Sequence, residues 1–135
     1  MTFIDTNVLI YHLGQPDHDF GPRSSALLGR LRAGTEVGYI SSTVVAECIH
    51  VFRTRYTIPN AVVANALLEI LAFAGLRSDH PEALVDALNF WREQGPLSFP
   101  DCFHLALAKQ LGMTQIYSFD RKMDRYPGVE RIEPS

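Results

Sequence analysis

"MTFIDTNVLIYHL", residues 1–13, places polar groups where the surrounding apolar pattern predicts a protein interior. Thr2 to Asp5 is predicted to form a short buried strand, and residues 7–12 are predicted to form a helix. Asp5 stands at the junction between the two. It can cap the helix, because aspartate is a preferred N-cap residue. It can also bind a metal, because sites in parallel α/β sheets gather at the carboxyl ends of strands.

The rest of the chain alternates between strand and helix patterns. Further strands are predicted at residues 37–40, 76–78, 114–120 and 129–132, and further helices at 24–32, 42–55, 60–75, 80–95 and 98–112. Gly34 is the predicted C-cap of the second helix, and Ser42 is the predicted N-cap of the third. This alternation predicts an α/β fold, an α/β/α sandwich with a short central parallel sheet. We expect a single domain covering residues 1–135.

Composition narrows the function classes only weakly. The chain has 135 residues and a formal net charge of −3, so no large basic surface points to a nucleic-acid partner. The two cysteines, Cys48 and Cys102, lack the spacing of a zinc site and are expected to be reduced. No signal peptide or membrane helix is predicted, and we expect a cytoplasmic protein.

Four carboxylates interrupt apolar sequence in the same way. They are Asp5, Glu47, Asp101 and Asp120. Burying an unpaired carboxylate costs roughly several kcal/mol of free energy, so a buried carboxylate must be neutralised, paired or bound to a cation. A hard divalent cation such as Mg²⁺ would satisfy several carboxylates together. The four acids therefore indicate a shared metal site.

Each acid also has a structural explanation. Asp101 can complete a capping arrangement with Ser98, and Asp120 can be a turn residue. Glu47 has no local role in its helix but can pair with a basic residue such as Arg53. A further acid, Asp124, is expected to lie at the surface and to pair with a basic neighbour at position 121, 122 or 125.

Two other classes of site fit parts of the pattern. Glu47 and His50 form an E-x-x-H pair, which di-iron helical bundles use, and that interpretation predicts a chain without strands. A phosphatase or phosphotransferase that forms an aspartyl-phosphate would also begin with an aspartate at the end of a strand. Such enzymes usually carry a second aspartate two residues later, where this chain has Asn7.

Four stretches in order resemble the PIN domain family, and most closely its VapC-type toxins of toxin–antitoxin pairs. The stretches are "FIDTNVLIY" (3–11), "SSTVVAECIHVF" (41–52), "FPDCFHLALAKQLG" (99–112) and "IYSFDRKMD" (116–124). The resemblance implies a PIN-like fold and a metal-dependent endoribonuclease. It also implies that the four acids hold Mg²⁺ or Mn²⁺, with supporting polar residues Thr6, Asn7, Ser42 and Ser118.

The resemblance also implies partners. We expect an RNA substrate, a cognate antitoxin that blocks the site, a homodimer and no membrane association. Basic side chains beside Asp120 are candidates for holding the RNA, namely Arg121, Lys122 and Arg125. A PIN-like domain that binds RNA or a partner without cleaving remains an alternative.

Overall fold

The computed structural model describes residues 1–93 and 95–135. The chain forms two compact units, residues 1–79 and residues 80–135. The expectation of one domain across the whole chain stays a prediction.

The first unit contains a three-stranded parallel sheet and four helices. Its elements in chain order are β1 (Thr2–Phe3), α1 (Thr6–Gly14), α2 (Gly21–Ala33), β2 (Gly38–Ile40), α3 (Ser42–Thr54), α4 (Asn60–Leu71) and β3 (Leu76–Ser78). β2 lies in the centre, where Tyr39 pairs with Phe3 on one side and with Arg77 on the other. Because all three strands run in the same direction, the residues that follow them meet at one edge of the sheet.

Apolar residues at helical spacing build the core of the first unit. On α3 the buried positions are Val44, Val45, Cys48, Ile49 and Phe52, as the periodicity predicts. Gly34 closes α2 with a left-handed backbone (φ 77°), which confirms its prediction as a C-cap.

The second unit contains two helices, a two-stranded parallel sheet and a short 3₁₀ helix. Its elements are α5 (Pro81–Glu93), α6 (Phe99–Gln110), β4 (Gln115–Tyr117), the 3₁₀ helix (Arg121–Arg125) and β5 (Glu130–Ile132). α5 packs on α6, and the rings of Trp91 and Phe99 meet edge to face with their centroids 6.3 Å apart. The predicted end of α5 runs through residue 94, which lies outside the described residues.

The α/β class with short parallel sheets is confirmed, with two differences of detail. The described strands fall into a three-stranded and a two-stranded sheet. β1 was expected to be buried, yet Thr2 and Phe3 are exposed and Ile4 is the buried residue. Among the described strands of the first unit, β1 pairs with β2 alone, which makes it an edge strand of that sheet. No helix in residues 1–93 or 95–135 is long and apolar enough to span a bilayer.

Candidate functional site

Asp5 follows β1 and caps α1. Its backbone is extended (φ −76°, ψ 155°), and its Oδ2 accepts a hydrogen bond from the Asn7 N–H at 3.2 Å. The capping interpretation is therefore confirmed. The residue is exposed and forms no ion pair with any described residue. Capping occupies one carboxylate oxygen and leaves the other for a ligand.

Thr6, the residue after Asp5, has an unusual polar atom. The residue is 9% exposed, and its buried Oγ1 has no hydrogen-bond partner in the described part of the chain. An unsatisfied buried hydroxyl costs about 1–3 kcal/mol. A water or ligand within hydrogen-bond reach of the hydroxyl would satisfy it, so this orphaned atom fits a bound group.

The start of α3 sets the position of Glu47. Ser41, not Ser42 as predicted, is the N-cap: its backbone is extended and its Oγ accepts from the Val44 N–H at 3.2 Å. The prediction was wrong by one residue because both positions carry a serine, and only the backbone conformation distinguishes them. Ser42 is the first helical residue.

Asp79 is a carboxylate that the sequence analysis missed. It directly follows β3, and its Oδ1 accepts a hydrogen bond from the Ser42 N–H at 2.6 Å. This bond fastens the first turn of α3 to the end of β3. The signal for it was available, since Asp79 follows a predicted strand just as Asp5 does.

Glu47 is exposed, which corrects the expectation that its helix environment would bury it. The buried residues of α3 centre on one face, and at about 100° per residue Glu47 projects about 130° away from that face. It forms no ion pair with a described residue, and Arg53 instead donates to the Ile58 carbonyl at 2.7 Å. The ion-pair alternative for Glu47 is therefore wrong.

The charges of Asp5 and Glu47 both affect the buried thiol of Cys48. Burial raises the pKa of the Cys48 thiol to about 12, and the negative charges of Glu47 and then Asp5 add to the effect. Both carboxylates are therefore close enough to this sulfur to disfavour its thiolate. The region is negatively charged and lacks a compensating ion pair among the described residues.

Asp101 lies in the first turn of α6 in the second unit. Its N–H donates to the Ser98 Oγ at 3.3 Å, so Ser98 is the N-cap and the proposed capping arrangement is present. The side chain is half-buried and has no ion-pair partner among residues 1–93 and 95–135. Burial and the Asp101 charge raise the pKa of the Cys102 thiol to about 12.

Asp120 follows β4 and caps the 3₁₀ helix. Its Oδ1 accepts from the Lys122 N–H at 3.0 Å, and its own N–H donates to the Ser118 Oγ at 3.0 Å. The turn interpretation is thus correct, and Ser118 fixes the backbone that carries this carboxylate. The Lys122 ammonium lies 3.9 Å from Asp120 Oδ2, at the limit of an ion pair.

Asp124 pairs with Arg131 and not with a neighbour in sequence, which corrects the expectation for this residue. Arg131 donates to Asp124 and to Glu133, at 2.9 Å each, and to the Ser118 carbonyl at 3.0 Å. The partner comes from β5, which contacts the 3₁₀ helix. Consequently Arg121 and Arg125 are exposed and free of ion pairs in the described residues.

Each unit contributes two of the four acids. Within either unit, no three His, Cys, Asp or Glu side chains among the described residues are grouped to hold a metal ion. His50 and His104 are exposed, and the five strands contradict the all-helical arrangement that a di-iron bundle requires.

Comparison with known proteins identifies the family of the chain. The PIN domain family model matches residues 2–129. A VapC ribonuclease of Mycobacterium bovis is 27% identical over 137 residues, covering 98% of this chain and 99% of the relative. Ribonuclease VapC13 of Mycobacterium tuberculosis gives the same identity and coverage.

A similarity to a solved structure is more distant. VapC20 of Mycobacterium tuberculosis, a toxin that cleaves the sarcin-ricin loop, is 19% identical and gives a TM-score of 0.42. The alignment covers 99% of this chain and 100% of that one. A family match over residues 2–129 includes all four carboxylates and both units, and the chain belongs to the PIN domain family.

Proposed function

We propose that this protein is a metal-dependent endoribonuclease and the toxin component of a toxin–antitoxin pair. Its relatives in Mycobacterium are named VapC ribonucleases, and their similarity extends over nearly the whole chain. The observation that carries the proposal is the PIN domain match over residues 2–129, which includes all four carboxylates. The carboxylates of Asp5 and Glu47 are exposed and have no ion-pair partner among the described residues, so they are free to hold a divalent cation.

We assign the metal site to Asp5, Glu47, Asp101 and Asp120. Their carboxylates supply the hard oxygen ligands that Mg²⁺ or Mn²⁺ prefers. The unsatisfied Thr6 hydroxyl supports a bound group beside Asp5. The Asn7 N–H donates to the Asp5 carboxylate and orients it, and the Ser118 Oγ accepts from the Asp120 N–H and holds the backbone of that residue. Ser42 contributes the small hydroxyl at the start of the Glu47 helix.

A divalent cation held by Asp5, Glu47, Asp101 and Asp120 would supply an activated water and would stabilise the leaving oxygen of a phosphodiester. Attack by that water would leave a 5′-phosphate and a 3′-hydroxyl. The protein's own carboxylates repel RNA, so exposed basic side chains must hold the strand. Arg121 and Arg125 have no competing ion pair among the described residues, and Lys122 is only weakly paired; we assign all three to RNA binding.

Partners follow from the family relationship. We infer a cognate antitoxin protein that blocks the carboxylates and a homodimeric toxin that works in the cytoplasm. On α4, Val62 is 56% exposed while Val63, Ala64, Leu67 and Ile70 are buried. Most of this apolar helix therefore serves the core, and only its outer side is free for a partner.

RNA cleavage by purified protein tests the proposal. The protein, freed of antitoxin and treated with chelator, is mixed with structured and single-stranded RNAs, with and without Mg²⁺ or Mn²⁺. We expect metal-dependent cleavage, and at least about a 100-fold loss of rate for Asp5→Asn and Asp101→Asn because a metal ligand is removed. The end groups of the products are determined by their response to phosphatase and to polynucleotide kinase.

Substitutions of other exposed acids distinguish the loss of a metal ligand from the loss of any negative charge. Asp86 and Glu82 are exposed acids on α5, outside the four motifs, and Asp86→Asn and Glu82→Gln should cleave like the wild type. Equal cleavage by all variants would contradict the assignment of ligands. Hydrolysis of p-nitrophenyl phosphate without RNA cleavage would favour the phosphatase alternative, and RNA binding without cleavage would favour the non-catalytic one.

A further inference from the structure

A cleft on the first unit adjoins the Asp5 motif. It lies between α1 and the start of α2 and has a volume of about 310 Å³. This is at the lower end of the range for small-molecule sites, about 300–1,000 Å³. Asn7 forms part of its wall, and the N–H of that residue binds the Asp5 carboxylate. One residue of the cleft wall therefore hydrogen-bonds to a proposed metal ligand.

Aromatic rings line the cleft and its rim. Tyr11 and Phe20 both face it, and their rings meet edge to face with centroids 5.4 Å apart. The His18 ring lies against both, with its centroid 4.6 Å from that of Tyr11 and 5.1 Å from that of Phe20. Phe20 is 46% exposed, although burying it would be favourable. An aromatic cluster left open beside a polar site is suited to binding a flat ligand.

The loop that carries Phe20 is held in place by backbone hydrogen bonds. The His18 N–H donates to the Gln15 carbonyl at 3.1 Å, and the Gly21 N–H donates to the His18 carbonyl at 2.8 Å. Gly21 permits this close turn, because a Cβ there would lie 2.1 Å from the Pro16 carbonyl oxygen. The aromatic wall is thus formed before any ligand binds, which reduces the entropic cost of binding.

Arg23 adds a positive charge to the same cleft. Its guanidinium carbon lies 5.3 Å from the centre of the Phe20 ring, and it forms no ion pair within residues 1–93 and 95–135. A guanidinium can stack on a planar ring and donate two hydrogen bonds to a phosphate. Asp17 and Asp19 are exposed in the same loop and would repel a bare polyanion, so the rings must provide much of the binding.

We propose that this cleft binds one unpaired nucleobase of the RNA substrate, next to the bond that is cleaved. The base stacks on Tyr11 and Phe20, and Arg23 donates to the phosphate of the same nucleotide. The proposal rests on the proposed ribonuclease function and assigns a substrate subsite to it. It implies a preference for single-stranded over fully paired RNA.

Substitution of Phe20 tests the subsite. Phe20→Leu keeps an apolar side chain but removes the stacking surface, and Phe20→Trp enlarges that surface. We expect the KM for a single-stranded RNA to rise about tenfold in the leucine variant and to stay near or below the wild-type value in the tryptophan variant. In an Asp101→Asn background, RNAs carrying 2-aminopurine at successive positions report stacking directly, and one position should lose its quenching with Phe20→Leu.

Arg32 provides a matched control on the same helix. Its guanidinium carbon also lies 5.3 Å from a ring centre, that of Phe73, but this pair is outside the cleft. We expect Arg23→Ala to raise the KM and Arg32→Ala to leave it unchanged. An unchanged KM and unchanged 2-aminopurine signal in Phe20→Leu, with the wild type cleaving normally, would overturn the subsite alone and leave the cleft to a protein partner. If Asp101→Asn cleaves normally, the metal-site assignment fails, while the KM effect of Phe20 can still be measured.

Discussion

Replacing Ser41 by alanine removes the acceptor that begins α3, the helix that carries Glu47. The Ser41 Oγ accepts from the Val44 N–H at 3.2 Å, and Val44 is only 4% exposed. Water therefore has little access to replace the lost acceptor. Loss of an N-cap serine costs about 0.5–2 kcal/mol, and we expect about 1 kcal/mol here. For a chain of this length, that corresponds to a fall of about 4 °C in Tm.

Ser42→Ala is the matched control for this prediction. Ser42 is the first residue inside the helix, and it uses its backbone N–H, not its side chain, to bind Asp79. Because alanine is a better helix former than serine, we expect a change of at most about 0.5 kcal/mol. A loss of RNA cleavage by Ser42→Ala at unchanged stability would then report on the hydroxyl itself.

Urea denaturation followed by circular dichroism measures both variants. The reasoning predicts a lower midpoint for Ser41→Ala with an unchanged slope, and a midpoint near that of the wild type for Ser42→Ala. If Ser42→Ala is the more destabilised variant, or if the two lose equal stability, Ser41 is not the cap and the backbone at this turn differs from the one described.

The remaining predictions concern the two buried thiols and two glycines. With pKa values of about 12, Cys48 and Cys102 hold about one part in ten thousand of thiolate at pH 8, so thiol reagents should react only after unfolding. Because folding raises these pKa values above 9.0, the stability they contribute is complete below pH 9 and falls as the pH rises towards 12. Denaturation at pH 8 and pH 10.5 should show a smaller loss in Cys48→Ala than in the wild type. Gly75→Ala should cost about 2 kcal/mol or more, because its Cβ would lie 2.0 Å from the Glu36 carbonyl oxygen. Gly29→Ala, whose Cβ meets nothing within 4 Å inside α2, should instead raise stability by about 0.5–1 kcal/mol in thermal unfolding.

The sequence predicted those features that depend on local periodicity. The buried positions of α3 and the glycine that ends α2 follow from residue spacing and backbone preference, and the structure has them as predicted. The caps at Asp5 and Ser98 follow from the same local chemistry. These features need no knowledge of distant contacts, which explains why they were accessible.

Other features depended on details that a pattern does not fix. The N-cap of α3 is Ser41 and not Ser42, a difference of one residue in where the helix begins. The partner of Asp124 is Arg131, which a parallel β4–β5 pair brings into reach. The exposure of Glu47 could have been obtained from the helical angle, because its position is opposite the buried face.

The aromatic cleft could not have been predicted from spacing. Tyr11 belongs to α1, whereas Phe20 precedes α2, and the loop between them reads only as a polar, Gly/Pro-rich connection. Its turn, which depends on Gly21, brings the rings together. A site that depends on a loop conformation can be found only in the structure. A site at strand ends can be predicted from sequence, because its polar residues directly follow apolar runs.

Titration of Mn²⁺ followed by electron paramagnetic resonance tests the central claim most directly, because it measures metal binding without requiring the correct RNA. The account predicts that wild-type protein binds Mn²⁺ and that Asp5→Asn and Asp101→Asn each weaken binding at least about tenfold. Asp86→Asn should bind like the wild type. Equal Mn²⁺ affinity in all four proteins, or no binding by the wild type, would contradict the assignment of these carboxylates to a metal site.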